Sequence, residues 1–442
     1  MLKNTFCSSP WYSLRLEHDG NLHFCRWAKG INSQHNIQNT SIVTYFNSEQ
    51  LRQIRQTLLN GEPVAACSLC YDQDAPDINM TSGRKKQLCK SAVDLDNFDA
   101  SFLASPHYKH WEYSYQNAGA ANSQLADLQI DLGSYCNSEC VMCSPKFSTK
   151  LYSTFRKLNW LEPEHPLYQG DYQQINDWTQ DEATLNRTVK EIGELTELRY
   201  IHFLGGETLM IPAFYRILNK LVEMGINKHI TVGFTTNGTV WREDLVELLT
   251  KFQGVDLGIS IETTAPVNDY IRYPGNVEQI KDNILKFKML SVKNPSVRLQ
   301  LRITPSALSI WHFDQLIDFQ MKYKMSAESC HIIDRPEWLK LTVLPADLRN
   351  SAADRLQAAL DRHGLSAADI STNPNIRSPD LLRSTIAQNA IGLINVLRQD
   401  YQEPVETRHK LVQFLKQLES IRHNRILDYI PEYEEFLREY GY

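Results

Sequence analysis

Strand-like and helix-like segments alternate along the middle of the sequence, from Leu125 to about Pro345. The strand-like segments are short and mostly apolar, and the helix-like segments repeat their apolar residues at helical spacing. Strands that are separated by helices pair in parallel through right-handed crossovers. The predicted strands are 128–132, 200–204, 230–235, 255–261 and 297–303, with 338–344 as a candidate sixth. Six units are too few for a closed eight-stranded barrel, so the pattern predicts an α/β fold with an open six-unit barrel.

A loop with three cysteines follows the first of these strands. Cys136, Cys140 and Cys143 have the spacing C-x3-C-x2-C. Three thiolates on one short loop can hold three irons of a four-iron four-sulfur cluster, which leaves the fourth iron open to a substrate or cofactor. A closed zinc site usually needs a fourth ligand nearby, and none follows in this loop. The spacing favours a cluster with an open iron over a zinc site or three reduced core cysteines.

A second set of four cysteines lies near the start of the sequence and consists of Cys7, Cys25, Cys67 and Cys70. Two apolar segments flank Asp19-Gly20, which predicts a β-hairpin. In this hairpin Cys7 lies just before the first strand and Cys25 at the end of the second. A helix predicted to begin at Asn47 or Ser48 and to end at Gly61 then leads to the C-x2-C pair. Zinc and a four-iron four-sulfur cluster both accept four thiolates, and the spacing does not choose between them.

Composition narrows the class of protein. The 442 residues include nine cysteines, which in a reducing compartment favour metal or redox chemistry over disulfides. Cys89 and Cys330 belong to neither set and are predicted to be buried as small hydrophobic residues. The net charge of −6 argues against nucleic-acid and membrane partners, and the basic run Arg84-Lys85-Lys86 is predicted to be a solvated loop. No apolar stretch approaches about 20 residues and no signal peptide is recognised, so we expect a cytoplasmic protein.

The three-cysteine loop resembles the signature of the radical S-adenosylmethionine (radical SAM) superfamily. The pattern C-x2-P-W from Cys7 to Trp11, followed by Gly20, Cys25 and Cys67-x2-Cys70-Tyr71, resembles a twitch or SPASM-type auxiliary-cluster domain. This domain follows the core in many radical SAM enzymes and precedes it in a subgroup, as here. The resemblance implies S-adenosylmethionine and two four-iron four-sulfur clusters as cofactors, one on three cysteines and an auxiliary one on four. It also implies a partial (β/α)6 TIM-like barrel.

The resemblance extends to residues at the carboxyl ends of the predicted strands, where barrel active sites lie. Gly205, Gly206 and Glu207 match the GGE motif, which contacts the amino group of the methionine moiety; alone, the glycines also suit a turn with positive φ. The polar groups that end the next two strands suit ribose hydroxyls and the methionine zwitterion, and they belong to Thr236, Asn237, Ser260 and Glu262. Many relatives have Asp-Gly in place of Glu262-Thr263. Arg272 resembles an arginine near the cofactor carboxylate, with a surface arginine as the alternative.

These patterns divide the sequence into four parts. Residues 1–92 are predicted to form the N-terminal auxiliary-cluster domain, 93–124 a linker that packs against a neighbour, 125–345 the radical SAM partial barrel, and 346–442 a helical C-terminal extension. The extension has long polar-apolar patterns at 346–363, 379–398 and 406–423, whose apolar stripes are typical of packing. These helices could cover an open edge of the barrel.

The resemblance implies an enzyme that reductively cleaves S-adenosylmethionine to methionine and a 5′-deoxyadenosyl radical, which abstracts hydrogen from a substrate. A reductase or a flavodoxin-type protein is expected as the electron donor. The substrate is left open between a peptide, a sugar and a nucleotide, and the outcome between oxidation, epimerisation and bond formation. The rival hypothesis is a non-enzymatic module with one iron-sulfur cluster and a zinc ribbon, in which Gly205-Gly206-Glu207 would have no purpose.

Overall fold

The computed structural model describes residues 2–28, 35–74, 82–170, 177–327, 329–371, 379–402 and 404–442. The chain forms two compact units, and each unit draws on separate stretches of sequence. The first unit comprises Met1–Gly133, Ile175–Phe234 and Glu247–Val255, and the second comprises Ser134–Gln174, Thr235–Val246 and Asp256–Tyr442. The four-cysteine set therefore belongs to the first unit and the three-cysteine loop to the second.

Eight strands are described: β1 Ser13–Leu16, β2 Leu22–His23, β3 Asp127–Asp131, β4 Tyr200–Leu204, β5 Thr231–Thr236, β6 Gly254–Ser260, β7 Val297–Ile303 and β8 Ser329–Cys330. In the first unit the strand order is β2-β1-β3-β4-β5. The hairpin β1–β2 is antiparallel, and the other three pairs are parallel. In the second unit β7 lies between β6 and β8 and pairs with β8 in parallel. The five strands predicted from 128–132 to 297–303 are confirmed, with ends that differ by at most one residue.

The two faces of the sheet in the first unit differ in character. One face of β1, β3 and β4 is apolar and buried, and it carries Leu14, Leu16, Leu128, Ile130, Ile201 and Phe203. The opposite face is mostly polar and carries Ser13, Arg15, Asp127, Gln129, Asp131, Tyr200 and His202. Phe214 of the helix Pro212–Glu223 packs on the apolar face, with its ring centroid 5.2 Å from that of Phe203. Burial of each such side chain stabilises the fold by about 1.5–3 kcal/mol, so the apolar face holds the layers together.

The N-terminal hairpin extends this sheet, a pairing that the sequence analysis did not predict. Arg15 of β1 lies opposite His23 of β2 and beside Gln129 of β3. Because β1 pairs along β3, it covers an edge that would otherwise present unpaired backbone groups. The helix Glu49–Leu59 behaves as predicted: the Ser48 hydroxyl accepts from the Leu51 N–H at 3.3 Å.

Residues 93–124, predicted to be a linker, include the helices Phe98–Ala104 and Tyr108–Gln116. Their aromatic side chains join the apolar core of the N-terminal region. For example, the ring of Trp111 lies edge-to-face against Phe6, with centroids 4.9 Å apart. The segment is therefore packed together with the residues that precede Cys7.

The sixth strand lies elsewhere than predicted. It is β8, which pairs with the end of β7, whereas residues 338–344 form two short 3-10 helices, Glu337–Leu339 and Leu341–Val343. Five of the seven residues from 338 to 344 are buried, namely Trp338, Leu339, Leu341, Val343 and Leu344. The strand prediction for 338–344 is wrong because a short, mostly apolar run does not distinguish a strand from a helical segment by its periodicity.

The three long C-terminal helices are confirmed as Ala346–Arg362, Pro379–Leu397 and Val405–Glu419. The last of them packs through Phe414, whose ring stacks on Trp160 with centroids 5.2 Å apart. The remaining helices are Leu2–Thr5, Ile42–Phe46, Ser68–Gln73, Gly83–Lys90, Thr149–Lys157, Glu182–Gly193, Glu243–Leu249, Val267–Ile271, Val277–Lys293, Phe313–Tyr323 and Glu434–Glu439. Among the described residues, no helix has both the length and the apolar character needed to cross a membrane.

Candidate functional site

The three cysteines of the second unit lie close together on one loop. Cys136 and Cys140 are buried, and Cys143 is half-buried. Burial raises the pKa of the Cys143 thiol, and the neighbouring Cys140 and Cys136 raise it further. The Cys143 sulfur is therefore near enough to the other two cysteines for their charges to repel when the thiols ionise. Metal ligands bind as thiolates, so a bound cluster would relieve this repulsion, and the donor set fits a cluster held by three cysteines.

Backbone hydrogen bonds fix the middle of this loop. The Glu139 N–H donates to the Tyr273 carbonyl at 2.5 Å, and the Val141 N–H donates to the Ile271 carbonyl at 2.9 Å. The loop thus pairs with residues 271–273 over a short distance. This pairing brings Arg272 to the cysteines.

Arg272 joins the cysteine loop to Glu262. Its guanidinium forms a bidentate ion pair with the Glu262 carboxylate, in which Nη2 donates to Oε1 at 2.7 Å and Nε donates to Oε2. Nη1 lies 3.7 Å from the Cys140 sulfur. Burial lowers the pKa of Arg272, but Glu262 and Cys140 raise it by more, so the side chain stays charged. With its side chain 11% exposed, Arg272 is not a surface arginine, and Glu262 contacts the loop through it.

Asn237 links the end of β5 to the cysteine loop. Its Nδ2 donates to Asn137 Oδ1 at 2.7 Å and to Ser138 Oγ at 3.1 Å. Its Oδ1 accepts from the Thr239 N–H at 3.0 Å. Because both ends of the amide bind the protein, Asn237 orients the loop, and its contact with the cofactor stays a prediction.

Thr236 and Ser260 occupy the last positions of β5 and β6. Thr236 is buried, and its hydroxyl accepts from the Gly238 N–H at 3.2 Å. Gly238 has φ of +77°, and a Cβ there would lie 3.0 Å from Ile259 Cγ2, so this turn requires glycine. Ser260 is half-buried and keeps its hydroxyl partly accessible. The cofactor contacts of both residues stay predictions.

The Gly205-Gly206-Glu207 turn lies in the first unit, at the carboxyl end of β4. The Gly206 N–H donates to the Gly133 carbonyl at 2.8 Å, and a Cβ on Gly205 would lie 3.0 Å from the same oxygen. Neither Gly205 nor Gly206 has a positive φ, so the alternative of a positive-φ turn does not apply. Position 205 requires glycine because the Gly133 backbone lies too close for a side chain. Glu207 is fully buried, and its Oε1 accepts from the Leu209 N–H at 3.1 Å.

The four cysteines of the first unit line one cavity, whose wall consists of Cys7, Phe24, Cys25, Trp27, Ala28, Cys67, Cys70, Gly83, Arg84 and Gln87. Burial raises the pKa of Cys67 to about 12, and Cys25 and Cys70 add to the effect. No group of three or more His, Cys, Asp or Glu side chains in the described ranges is arranged as a formed metal-ion site. Four thiol groups around one cavity are the donor set that a cluster or zinc requires.

This cavity and the Gly205-Gly206-Glu207 turn lie at opposite ends of the sheet in the first unit. Cys7 precedes β1 and Cys25 follows β2, so the cavity is at the amino end of β1. The turn follows β4, which runs parallel to β1 through β3.

Two sequence-based predictions about the first unit are wrong. The run Arg84-Lys85-Lys86 is the first turn of the helix Gly83–Lys90, and Arg84 is buried in the cavity wall. Cys89 is exposed. Residues 84, 87 and 88 share the buried side at helical spacing, so residue 89 falls on the outer side. The prediction for Cys330 is only partly met, because this residue is half-buried.

Arg422 is a site residue that the sequence analysis missed. Its Nη2 donates to the Glu139 carbonyl at 2.7 Å, and its Nη1 donates to the Tyr270 carbonyl at 3.3 Å. Its guanidinium carbon lies 4.5 Å from the ring centroid of Tyr273. Arg422 thus binds both the cysteine loop and the segment 271–273 that pairs with it. Because Arg422 lies 283 residues beyond Glu139, no local sequence pattern indicates this contact.

We expect Arg422→Gln to loosen the cysteine loop. Hydrogen bonds from a charged donor contribute about 1.5–3 kcal/mol each, and this substitution weakens two. The midpoint of thermal unfolding should fall, and iron incorporation into the three-cysteine site should slow. Arg425→Gln, at an exposed position nearby, is the matched control. An Arg422→Gln protein with the unfolding midpoint and iron content of the control would contradict this role.

Family models match both cysteine-bearing regions. Residues 130–304 match the Radical SAM superfamily, and residues 7–71 match the SPASM iron-sulfur cluster-binding domain. The first match includes the three-cysteine loop and β4 to β7, and the second includes all four remaining cluster cysteines. The chain therefore contains a radical SAM domain over residues 130–304, with a SPASM-type domain ahead of it over residues 7–71. The predicted α/β fold with a partial barrel is thereby confirmed.

Several solved structures are similar to the chain at low identity. Native anSMEcpe with bound AdoMet is 17% identical, with a TM-score of 0.36, over 54% of this chain and 60% of that chain. Streptococcus suis SuiB bound to S-adenosylmethionine is 15% identical, with a TM-score of 0.36, over 81% and 71%. TYW1 with a lysine-pyruvate adduct bound is 16% identical, with a TM-score of 0.26, over 54% and 71%. The chain thus spans less than two thirds of the length of the anSMEcpe chain. No curated protein matches it.

Proposed function

We propose that the enzyme binds S-adenosylmethionine at the open iron of a four-iron four-sulfur cluster on Cys136, Cys140 and Cys143, and abstracts hydrogen from a polar substrate. The observation that carries the proposal is the position of the charged Arg272 beside these three cysteines. When bound, the cluster and S-adenosylmethionine supply reductive cleavage of a carbon-sulfur bond, which gives methionine and a 5′-deoxyadenosyl radical. The protein supplies three sulfur ligands, a fixed cation and a frame that positions them.

Arg272 is suited to bind the carboxylate of S-adenosylmethionine. Within the described residues, three of its five N–H donors face Glu262 and Cys140, so two are left for a bound carboxylate. Glu262 holds the guanidinium in place through two hydrogen bonds. We therefore assign Glu262 a positioning role, in which it acts on the cofactor through Arg272.

The Gly205-Gly206-Glu207 turn is suited to bind the amino group of the methionine moiety. Gly205 and Gly206 are half-buried, whereas Glu207 is fully buried and caps the following turn. We assign the contact with the ammonium group to the backbone carbonyls of the glycines, which have no side chain in the way. Glu207 then fixes the shape of the turn.

The polar face of the sheet in the first unit supports a polar substrate. Arg15 donates to Asp131 Oδ2 from Nη2 at 2.5 Å and from Nε at 3.1 Å, and Gln129 Nε2 donates to Asp131 Oδ1 at 3.0 Å. Barrel interiors that serve packing alone are filled mainly by branched apolar side chains. Arg15, Gln129 and Asp131 hydrogen-bond to one another, so the face stays polar without a free-energy penalty and is better suited to a polar molecule than to an apolar one. Peptides, sugars and nucleotides all meet this condition.

We assign the four-cysteine cavity to an auxiliary four-iron four-sulfur cluster that transfers electrons. Four thiolates complete the protein ligation of such a cluster, which favours electron transfer over direct substrate binding. A reductase or a flavodoxin-type protein would reduce the enzyme.

Replacement of Cys67 and Cys70 by alanine should remove this auxiliary cluster and leave the other one. We expect the iron content per chain to fall by about half, since each cluster holds four irons. Some cleavage of S-adenosylmethionine should persist without coupling to the substrate. Iron and zinc, measured together by mass spectrometry, check the outcome. Unchanged iron would mean that the cavity holds zinc or no metal.

The proposed function is tested on the reconstituted wild-type enzyme. Anaerobic protein reduced with dithionite and incubated with S-adenosylmethionine should form 5′-deoxyadenosine and methionine, quantified by liquid chromatography. A non-enzymatic cluster module would form neither product, so their absence from iron-loaded protein would refute the proposal.

A further inference from the structure

Arg84 is a buried cation in the wall of the four-cysteine cavity. Arg84 is 5% exposed, and Cys67 and Cys70 belong to the same cavity wall. Burial and the neighbouring thiols raise the pKa of Cys67, whereas Arg84 lowers it. The positive charge of the guanidinium therefore acts on the Cys67 sulfur, one of the atoms that would bind a cluster.

The hydrogen bonds of Arg84 fix this charge relative to the cysteines. Nε donates to Asp74 Oδ2 at 2.6 Å, and Asp74 ends the helix that contains Cys70. Nη1 donates to the carbonyl of Phe6 at 3.1 Å, directly before Cys7. Arg84 thus connects two of the segments that supply ligands, and its partner Asp74 brings a negative charge to the same place.

Backbone N–H groups at the start of the helix Gly83–Lys90 also act on the Cys70 sulfur. Burial raises the pKa of Cys70, while hydrogen bonds from the backbone N–H groups of Arg84 and Gly83 lower it. A Cβ on Gly83 would lie 2.5 Å from Trp27 Cε3, so glycine allows this ring to lie against the start of the helix. The Trp27 N–H in turn donates to the Cys25 sulfur at 3.4 Å.

We propose that Arg84 raises the reduction potential of the auxiliary cluster and so suits that cluster to accept electrons, an inference that rests on the proposed function of the four-cysteine site. The reduced cluster carries one more negative charge than the oxidised cluster. A buried cation and N–H donors close to the sulfur ligands stabilise the reduced form. Asp74 has the opposite effect, because its carboxylate destabilises the added charge.

A redox titration followed by electron paramagnetic resonance tests this role. The full chain with Cys136, Cys140 and Cys143 replaced by alanine serves as the parent, so that only the four-cysteine site contributes. At the midpoint potential of the parent, Arg84→Gln should lower the ratio of reduced to oxidised cluster about tenfold, which corresponds to 59 mV for one electron. Asp74→Asn should raise the same ratio. Lys86→Gln, which removes an exposed charge from the same helix, should change it by less than about twofold.

Opposite shifts in the two variants support the proposal, because a purely structural role would move both in the same direction. Shifts of the same sign, or no shift, in variants that retain iron would overturn it. If Arg84→Gln fails to hold iron, Arg84→Lys replaces it: its ratio must stay within about threefold of the parent, since the charge is kept, while that of Asp74→Asn still rises. If metal analysis of the parent finds zinc in place of iron, the assignment of the four-cysteine site to an auxiliary cluster is wrong. This outcome is known before any potential is measured.

Discussion

Replacement of Cys136, Cys140 and Cys143 by alanine is expected to abolish 5′-deoxyadenosine formation. The three cysteines are buried or half-buried, and Cys143 lies near the other two. The cation beside Cys140, Arg272, has no lone pair to offer a metal. Without the thiolates no iron is held at this loop, so the cofactor loses the metal that binds and reduces it. The product should fall to the level of a protein-free control.

Two comparisons make this result specific to the three-cysteine site. Cys89→Ala, at an exposed position outside both cysteine sets, should leave product formation unchanged. The triple variant should still contain the iron of the four-cysteine cavity, which shows that the chain remains folded. Undiminished 5′-deoxyadenosine formation by the triple variant would refute the assignment of the cluster.

Separation of Arg272 from Glu262 is expected to have the largest effect on stability. Glu262 is 0% exposed, and its two carboxylate oxygens both accept from Arg272. Removal of one partner of a buried ion pair leaves an uncompensated charge and costs about 3–5 kcal/mol. Arg272→Met should therefore lower the free energy of unfolding by that amount, as measured by urea denaturation at equilibrium. It should also weaken the binding of S-adenosylmethionine, because the cation beside Cys140 is lost.

The double variant Glu262→Met/Arg272→Met separates these two effects. Apolar residues that replace a whole buried ion pair are often neutral or stabilising, so the double variant should regain most of the stability. Cofactor binding and cleavage should stay as low as in Arg272→Met. Recovery of cleavage together with stability would mean that Arg272 serves the fold alone.

Much of the core could be predicted because its signals are local. The strand and helix periodicities gave the ends of β3 to β7 to within one residue, and Ser48 caps its helix through a hydroxyl only three residues away from its partner. The spacing of Cys136, Cys140 and Cys143 likewise specifies one loop. In such cases the residues that decide the structure are neighbours in sequence.

The errors and omissions depend on contacts between distant segments. Arg422 binds a carbonyl 283 residues away, and β1 pairs with β3 across more than 100 residues of intervening chain. Arg84 belongs to a basic run that resembles a solvated loop, yet its hydrogen bonds to Asp74 and to backbone carbonyls satisfy the buried charge. Composition gives no indication of such partners, so burial of a charged residue could not be predicted from the sequence.

The electron paramagnetic resonance spectrum of the reduced enzyme, recorded with and without S-adenosylmethionine, tests the open iron most directly. The Cys67→Ala/Cys70→Ala variant, which lacks the auxiliary site, isolates the signal of the three-cysteine cluster. Addition of the cofactor should change this signal, because the cofactor occupies a coordination position that the protein leaves vacant. A signal that saturating cofactor leaves unaltered, in protein whose three-cysteine site contains four irons, would contradict the account.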